Sequence, residues 1–73
     1  MAAHEVESEV TGNVWKILVE VGAVVEEGEV LMILESMKME IPVESPIAGT
    51  VSDIKVAEEE QVEEDQIVAV VDD

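Results

Sequence analysis

Apolar residues alternate with polar ones early in the chain, which is the pattern of a strand with one buried face. Within residues 9–21 a set of apolar side chains recurs at every second position, at Trp15, Ile17, Val19 and Val21. This spacing predicts a half-buried strand and places Trp15 in the core or at its edge, rather than on the surface as a stacking platform. The glycines that bracket residues 22–28 permit positive φ, so this segment is predicted to turn around a buried Val25.

A continuous apolar run, Val30–Leu34, predicts a more deeply buried strand, and a further strand is expected around residues 40–44. The short polar connection between them predicts a hairpin with Lys38 at its tip. A lysine at a turn can serve solubility alone, but the chain has only two other cationic residues, Lys16 and Lys55. Methionines also flank the tip and offer flexible apolar surface that a partner could bind.

The second half of the chain repeats the first at a shift of 37 residues without a gap. Identical residues at equivalent positions are Gly12 and Gly49, Val14 and Val51, Ile17 and Ile54, Val19 and Val56, Val25 and Val62, and the pairs Glu26-Glu27 and Glu63-Glu64. The run Val30–Leu34 falls on the run Ile67–Val71. A duplicated unit with approximate two-fold symmetry is therefore predicted.

The repeat also predicts the architecture, because neither half can cover its own apolar face. Pairing the halves gives an all-β fold, a flattened antiparallel β-barrel or two-sheet sandwich. No helix is expected, since the charged residues 58–65 lie between strand-like segments and align with a turn of the first half. Glu35 corresponds to Asp72, so Lys38 and the chain ends are predicted to lie at opposite ends of the domain.

Length and composition limit what the chain can do. Its 73 residues allow one domain, predicted to span residues 1–73 with a core from about 10 to 71, and that is too small for a large active-site cleft. Catalysis by this chain alone is therefore not expected. Without cysteine there is neither disulfide nor thiolate chemistry, which fits a reducing compartment, and the cytoplasm is the expected location. No signal sequence or membrane-spanning stretch is recognised.

The charge is extreme, with 19 Asp and Glu against 3 Lys and Arg and a formal net charge of −16. Nucleic acid and anionic membrane surfaces would repel such a chain, so both are excluded as partners. The excess of carboxylates suggests either adaptation to high ionic strength or docking on a basic partner. The dependence of the urea midpoint on salt tests the first hypothesis, because screening relieves repulsion within the chain.

The N-terminal residues 1–8 are polar and acidic, and the first few are expected to be loose. His4 is the only histidine and has no cysteine beside it. Zinc and catalytic sites need such companions, so His4 is predicted to be an exposed end residue and no metal site is expected.

The stretch Glu35-Ser36-Met37-Lys38-Met39 resembles the attachment signature of the biotin carboxyl carrier proteins, within the wider biotin/lipoyl attachment family. In that family the lysine between the methionines receives biotin, and residues resembling Pro46, Ala48, Gly49 and Val51 follow it. The resemblance covers about residues 10–71 and implies the biotinyl/lipoyl domain fold, a barrel-sandwich hybrid, in its minimal form without the protruding thumb of some bacterial carriers. Lipoyl domains usually place Asp before and Ala after the lysine, so Met37 and Met39 favour biotin.

Three positions depart from the family pattern. Ser36 stands where the family commonly has Ala, which is a small residue replaced by another small residue. Glu59 and Asp65 stand where the first half has Gly22 and Gly28 and where the family often has glycine. If positive φ is needed there, each of these two turns is strained by ~1 kcal/mol.

The resemblance implies that a biotin protein ligase acylates Lys38 and that the attached biotin carries a carboxyl group from a biotin carboxylase to a carboxyltransferase. The chain would then be a non-catalytic carrier, expected to be a monomer when isolated. Met37 and Met39 would shape the turn and be read by the ligase, with Glu35 and Ser36 as the motif flank. The alternatives are a lipoyl carrier and an unmodified acidic interaction module. Glu35 and Glu40 are interpreted as solvated charges rather than a general acid and base, because they flank an exposed tip.

Overall fold

The computed structural model describes residues 2–73, which form eight strands in two antiparallel sheets. This confirms the predicted all-β flattened barrel-sandwich. The strands are β1 (Ala3–Glu7), β2 (Gly12–Ile17), β3 (Val24–Val25), β4 (Val30–Ser36), β5 (Met39–Glu44), β6 (Gly49–Ile54), β7 (Gln61–Val62) and β8 (Ile67–Asp72).

The order of the strands shows that the two halves are interleaved. One sheet runs β1-β8-β6-β3 and the other runs β5-β4-β2-β7. A shift of 37 residues converts β1 to β5, β2 to β6, β3 to β7 and β4 to β8, so it converts one sheet into the other. Each sheet therefore contains two strands from each half, and neither half can form a sheet without the other.

The core lies between the two sheets and consists of aliphatic side chains. Among its largest fully buried members are Leu31, Met32 and Leu34 of β4. The other buried apolar residues are Val6, Val14, Val25, Val43, Val51, Val56, Val62, Val68, Ala69 and Val71. Valine dominates because a branched side chain fills the narrow space between twisted sheets without needing many rotamers. Val25 is buried as predicted, but Val24 and Val25 form the short strand β3, paired with β6, where the sequence predicted a turn.

The N-terminal segment is more ordered than its sequence suggested. Met1 lies outside the described residues, but Ala3–Glu7 form β1, which pairs with β8 along its whole length. Val6 is 5% exposed and Ser8 is fully buried, so the prediction that the core begins at about residue 10 was wrong. The segment is held because its backbone extends the edge of the sheet at β8, although only one of its side chains enters the core.

Trp15 does not lie in the core, contrary to the prediction from its spacing. Its side chain is 50% exposed, whereas Val14 is fully buried. A bulge causes this, because Val14 pairs with Leu34 and Lys16 pairs with the next residue, Ile33, which leaves Trp15 as the extra residue. A bulge changes which side chains face inward, so the predicted alternation through residues 9–21 fails at this position and β2 ends at Ile17.

Glu59 and Asp65, which stand where the first half has glycine, both have a strained backbone conformation, as the repeat predicted. Gly22 and Gly28 have φ of 97° and 84°, and their equivalents Glu59 and Asp65 both have φ of 71°. A non-glycine residue in this region places Cβ close to the backbone carbonyl oxygen, and Asp tolerates this better than Glu. The fold therefore imposes left-handed turns that the second half supplies without glycine.

Replacing Glu59 with glycine should raise the free energy of unfolding by ~1 kcal/mol, and Asp65→Gly should raise it by less, because the strain is relieved in the folded state. For a domain of this size the larger change raises Tm by roughly 4–8 °C, measurable by circular dichroism. Glu64→Gly is the matched control, since Glu64 is exposed and lies outside the residues with positive φ. It should lower Tm, and a similar rise in all three variants would contradict the assignment to backbone strain.

Within residues 2–73 the structure contains no helix of the length and apolarity needed to cross a bilayer. The molecule is elongated, with extents of 36 × 18 × 18 Å. Ala3, Asp72, Thr50 and Val24 pair across one sheet and mark the end where the chain begins and finishes.

Candidate functional site

Lys38 lies in a hairpin whose loop is only two residues long. β4 and β5 stay paired up to Ser36 and Met39, so Met37 and Lys38 alone make the connection. Their φ angles are 52° and 66°, and positive φ at both central residues is the mark of a type I′ turn. Such turns match the right-handed twist of the flanking strands, so the hairpin continues the sheet straight to its tip. The predicted position of Lys38 at the tip is confirmed.

The side chains at the tip of the hairpin are exposed to solvent. Met37 is 92% exposed and Met39 is 64% exposed, and Lys38 between them is also exposed. In the described part of the chain the ion pairs join Lys55 to Asp53 at 2.9 Å and His4 to Asp73 at 3.4 Å, so Lys38 takes part in neither. An amine in this position is accessible to another protein and is not held by a carboxylate.

The base of the hairpin is fixed by the segment that leads into β2. The hydroxyl of Ser36 donates a 2.9 Å hydrogen bond to the carbonyl oxygen of Thr11. The backbone of Gly12 approaches so closely that a Cβ there would lie 2.5 Å from the carbonyl oxygen of Glu35. Thr11 Oγ1 in turn accepts a hydrogen bond from the Glu64 amide at 3.2 Å. These contacts stop the base from shifting while the tip stays free.

Thr11 and Gly12 were not among the predicted site residues. The identity of Gly12 and Gly49 in the repeat was visible in the sequence, but what Gly12 approaches depends on pairing across the sheet. The predicted motif flank does contribute, since Ser36 makes the hydrogen bond that an alanine in its place would lack.

Glu35 and Glu40 lie directly opposite each other across the hairpin, and both are exposed. Two like charges in this arrangement destabilise a strand pair, by ~0.2–1 kcal/mol for typical pairs. They flank the amine of Lys38 with negative charge on both strands. Their exposure beside a tip agrees with their interpretation as solvated charges.

The turn residues are poor choices for stability. Type I′ turns favour Asn-Gly, because these residues adopt positive φ at low cost, whereas Met-Lys does not. Replacing Met37-Lys38 with Asn-Gly should raise the free energy of unfolding by about 1–2 kcal/mol, measured by urea denaturation followed by circular dichroism. A variant no more stable than the parent would show that the turn is not strained. A gain of this size would show that Met37 and Lys38 are not the residues that folding alone favours in this turn.

Other candidate chemistry is sparse in the described residues. His4 lies in β1, half-exposed, with Nε2 3.4 Å from an oxygen of Asp73, so it is an end residue that is less exposed than predicted. The hydrogen bond from the Ala2 amide, helped by His4, holds the pKa of the Asp73 carboxyl below its ordinary value. Within residues 2–73 no group of three or more His, Cys, Asp or Glu side chains is placed to hold a metal ion.

The hairpin and the chain ends lie at opposite ends of the long axis. β1 starts beside Asp72 and runs away from it for five residues, roughly 17 Å at the usual rise of a strand. The chain then reaches Thr11, which contacts the base of the hairpin. The amine of Lys38 is therefore presented at the end of the molecule away from the chain ends, as the repeat predicted.

The geometry suits the site to presenting an amine. Lys38 is exposed in a two-residue turn, and it takes part in neither of the ion pairs of the described residues. A lysine ammonium is a poor nucleophile at neutral pH. A hairpin with a fixed base and an exposed tip is therefore suited to offering this side chain to another protein.

Comparison with known proteins gives matches over almost the whole chain. The sequence profile of a family described as "Biotin-requiring enzyme" matches residues 2–71. A protein of Mycobacterium leprae named "Biotinylated protein TB7.3 homolog" is 38% identical, and the alignment covers 94% of this chain and 97% of that protein. The biotin carboxyl carrier protein of Streptococcus mutans is 46% identical over 77% of this chain and 43% of its own length.

The fold has a close match among solved structures. The crystal structure of Kluyveromyces lactis urea carboxylase contains a region that superimposes with a TM-score of 0.92 at 37% sequence identity. The match covers 97% of this chain and 6% of that much longer one. The matched region is thus a small part of the urea carboxylase, whereas the M. leprae relative is matched over nearly its whole length.

Proposed function

Because this chain belongs to the family of biotin-requiring enzymes, the biotin/lipoyl attachment family, we propose that Lys38 is the residue that carries its covalently bound biotin. The single observation that carries the proposal is the exposed amine of Lys38 at the tip of a strained two-residue turn. The chain is a biotin carboxyl carrier: its relatives include a biotin carboxyl carrier protein, and its fold is found in a urea carboxylase.

The residues present fit the attachment of biotin through an amide. Lys38 Nζ has to lose a proton to a base of the ligase and attack the activated carboxyl carbon of biotin, which forms the amide and expels AMP. The positive charge of Lys38 is lost in this step, so the net charge becomes one unit more negative. When bound, biotin supplies a ureido nitrogen that can carry CO2 as a carboxyl group.

The domain itself contributes rigidity and tethering. The two-sheet core and the contacts at the base of the hairpin hold the attachment point, and the lysine side chain extends beyond them into solvent. Confining the cofactor near two active sites raises its effective concentration to about the mM range when the arm can reach both. A biotin carboxylase and a carboxyltransferase are the enzymes that such an arm would serve, and the isolated carrier is proposed to be a monomer.

Met37 and Met39 are proposed to be read by the biotin protein ligase. Their side chains are more exposed than packing of the hairpin end would need, at 92% and 64%. A thioether is flexible and polarisable, so it adapts to the surface of an enzyme that grips the turn. Glu35 and Ser36 complete the motif, with Ser36 acting through its hydrogen bond to Thr11.

Intact mass after co-expression with a biotin protein ligase and biotin tests the proposal. The wild-type chain should gain the mass of one biotin amide and be captured by streptavidin. A lipoyl increment would instead select the lipoyl carrier, and an unchanged mass would select an unmodified interaction module. Either of these results would overturn biotin carriage by this chain.

A further inference from the structure

Three surface positions of the first half are apolar, whereas the three equivalent positions of the second half are polar or charged. In the first half three apolar side chains are open to solvent, and we call them the apolar face: Leu18, Val21 and Val24, with exposures of 48%, 61% and 79%. The residues at the equivalent positions, 37 further along, are Lys55, Glu58 and Gln61. All three of these are exposed too, and all three are polar or charged.

The fold does not require the apolar face to be apolar. The second half builds the same strands and turns with polar residues at these positions, so packing does not select for Leu and Val there. A single exposed aliphatic residue is ordinary. Three of them at every third position of one segment form a patch, which is less ordinary. Leu18 and Val21 line one shallow concavity, and Val24 is the next residue after the segment that lines it.

The apolar face lies at the end of the molecule away from Lys38. Val24 pairs with Thr50, Thr50 pairs with Asp72, and Asp72 pairs with Ala3, so these residues form one row at the end where the chain begins and finishes. β3 is also an edge strand of its sheet. A protein bound to this end would leave the hairpin tip free to be acylated and to reach an active site.

The charges around the apolar face decide what can bind there. Residues 17–29 contain four glutamates and no lysine or arginine, and Glu20 and Glu29 line the same concavity as Leu18. The whole chain carries a formal charge of −16. Two copies meeting through this face would bring the acidic borders together, which opposes self-association. The complementary surface has an apolar centre and a border of lysines and arginines.

We propose that the apolar face docks onto such a basic-rimmed apolar patch on one subunit of the carboxylase that this carrier serves. The identity of the partner rests on the proposed function, whereas the surface itself is defined by the structure. Docking at this end holds the carrier to the assembly while Lys38 stays available at the other end. The acidic residues around the apolar face increase the rate of association with a basic partner, and the apolar side chains stabilise the bound complex.

The second half of the chain supplies a matched substitution set. The triple variant Leu18→Lys, Val21→Glu and Val24→Gln places the residues of the second half onto the first and leaves the net charge unchanged. Biotinylated wild-type and variant carriers are tested against the purified biotin carboxylase subunit and, separately, against the purified carboxyltransferase subunit, by surface plasmon resonance. Binding to one of the two should weaken by about tenfold or more, as expected when central apolar contacts are removed.

Trp15→Ser is the control, because Trp15 is a half-exposed apolar residue outside the apolar face and its equivalent is Ser52. It should bind as the wild type does. Wild-type binding should also weaken between 0.05 and 0.5 M NaCl, roughly as the Debye length falls from about 14 to 4 Å. Intact mass and streptavidin capture of each variant report biotinylation independently, so failure of docking is distinguishable from failure of biotin attachment.

Three results would overturn the proposal. The triple variant could bind both subunits as tightly as the wild type does, or the wild type could bind neither. Alternatively, sedimentation could show that the wild type forms a dimer which the triple variant does not, and the apolar face would then be an interface between copies of this chain. Circular dichroism confirms that each variant is folded before any of these comparisons is made.

Discussion

Lys38→Arg should abolish biotinylation completely, with no gain in intact mass and no capture by streptavidin after co-expression with ligase and biotin. Arginine keeps the positive charge and a long flexible side chain, so the turn and the local electrostatics are preserved. What is lost is a nitrogen that can be deprotonated, because a guanidinium stays protonated in proteins and cannot attack an activated carboxyl group. The change therefore separates acylation from charge.

The other two lysines are built-in controls for this experiment. Lys16→Arg and Lys55→Arg should each leave the mass gain of one biotin intact. Lys16 lies on β2 beside Trp15, and Lys55 is paired with Asp53 at 2.9 Å, so neither is at a turn tip. The hydrogen bond between the two lowers the pKa of the Asp53 carboxyl and raises the pKa of the Lys55 ammonium. Residual labelling of Lys38→Arg would show that a second amine accepts biotin.

Much of the fold could be predicted from the sequence because the internal repeat indicates both the buried strands and the symmetry between the two sheets. The apolar runs Val30–Leu34 and Ile67–Val71 became the central strands β4 and β8, and the symmetry of the two sheets followed from the shift of 37 residues. β1 was missed because only Val6 among its residues enters the core, and its stability comes from pairing with β8. Aligning Val6 with Val43 would have revealed it.

A second sign of β1 was present in the sequence. Ser8 and Ser45 are equivalent in the repeat, and both are buried. Each hydroxyl donates a 2.6 Å hydrogen bond to the carbonyl oxygen two residues ahead, at Val10 and at Ile47. A buried serine that satisfies its own turn ends a strand in a defined place, so the pair marks where β1 and β5 finish.

The errors at Trp15 and at the base of the hairpin share one cause. Both depend on how β2 pairs with β4, and a bulge or a close backbone approach is set by that register rather than by local spacing. Lys38 itself was predictable because a two-residue turn between long apolar strands is a local feature. The residues that support it, Thr11 and Gly12, are distant in the chain and become visible only when the sheet is assembled.

Gly49→Ala should be strongly destabilising, by about 3 kcal/mol or more, which is the upper end of the range for overpacking. A Cβ at Gly49 would collide with the backbone carbonyl oxygen of Asp72 and lie 2.9 Å from its carbonyl carbon. Moving either atom would disturb the pairing of β6 with β8, the two inner strands of their sheet. For a domain of this size Tm should fall by at least about 10 °C, measured by circular dichroism.

Alanine substitutions at three further glycines show whether a steric clash or a strained φ causes the loss of stability. Gly22→Ala and Gly28→Ala add a Cβ that meets nothing within 4 Å but sits at positive φ, so each should cost only ~1 kcal/mol. Gly12→Ala reproduces the clash at the symmetric position, against Glu35, and should destabilise as Gly49→Ala does. Because Gly12 supports the lysine hairpin and Gly49 supports the chain ends, Gly12→Ala alone should also slow biotinylation at a temperature where both variants are folded. Equal costs at all four glycines would contradict the assignment of the larger cost at Gly12 and Gly49 to the close approach of two backbone segments.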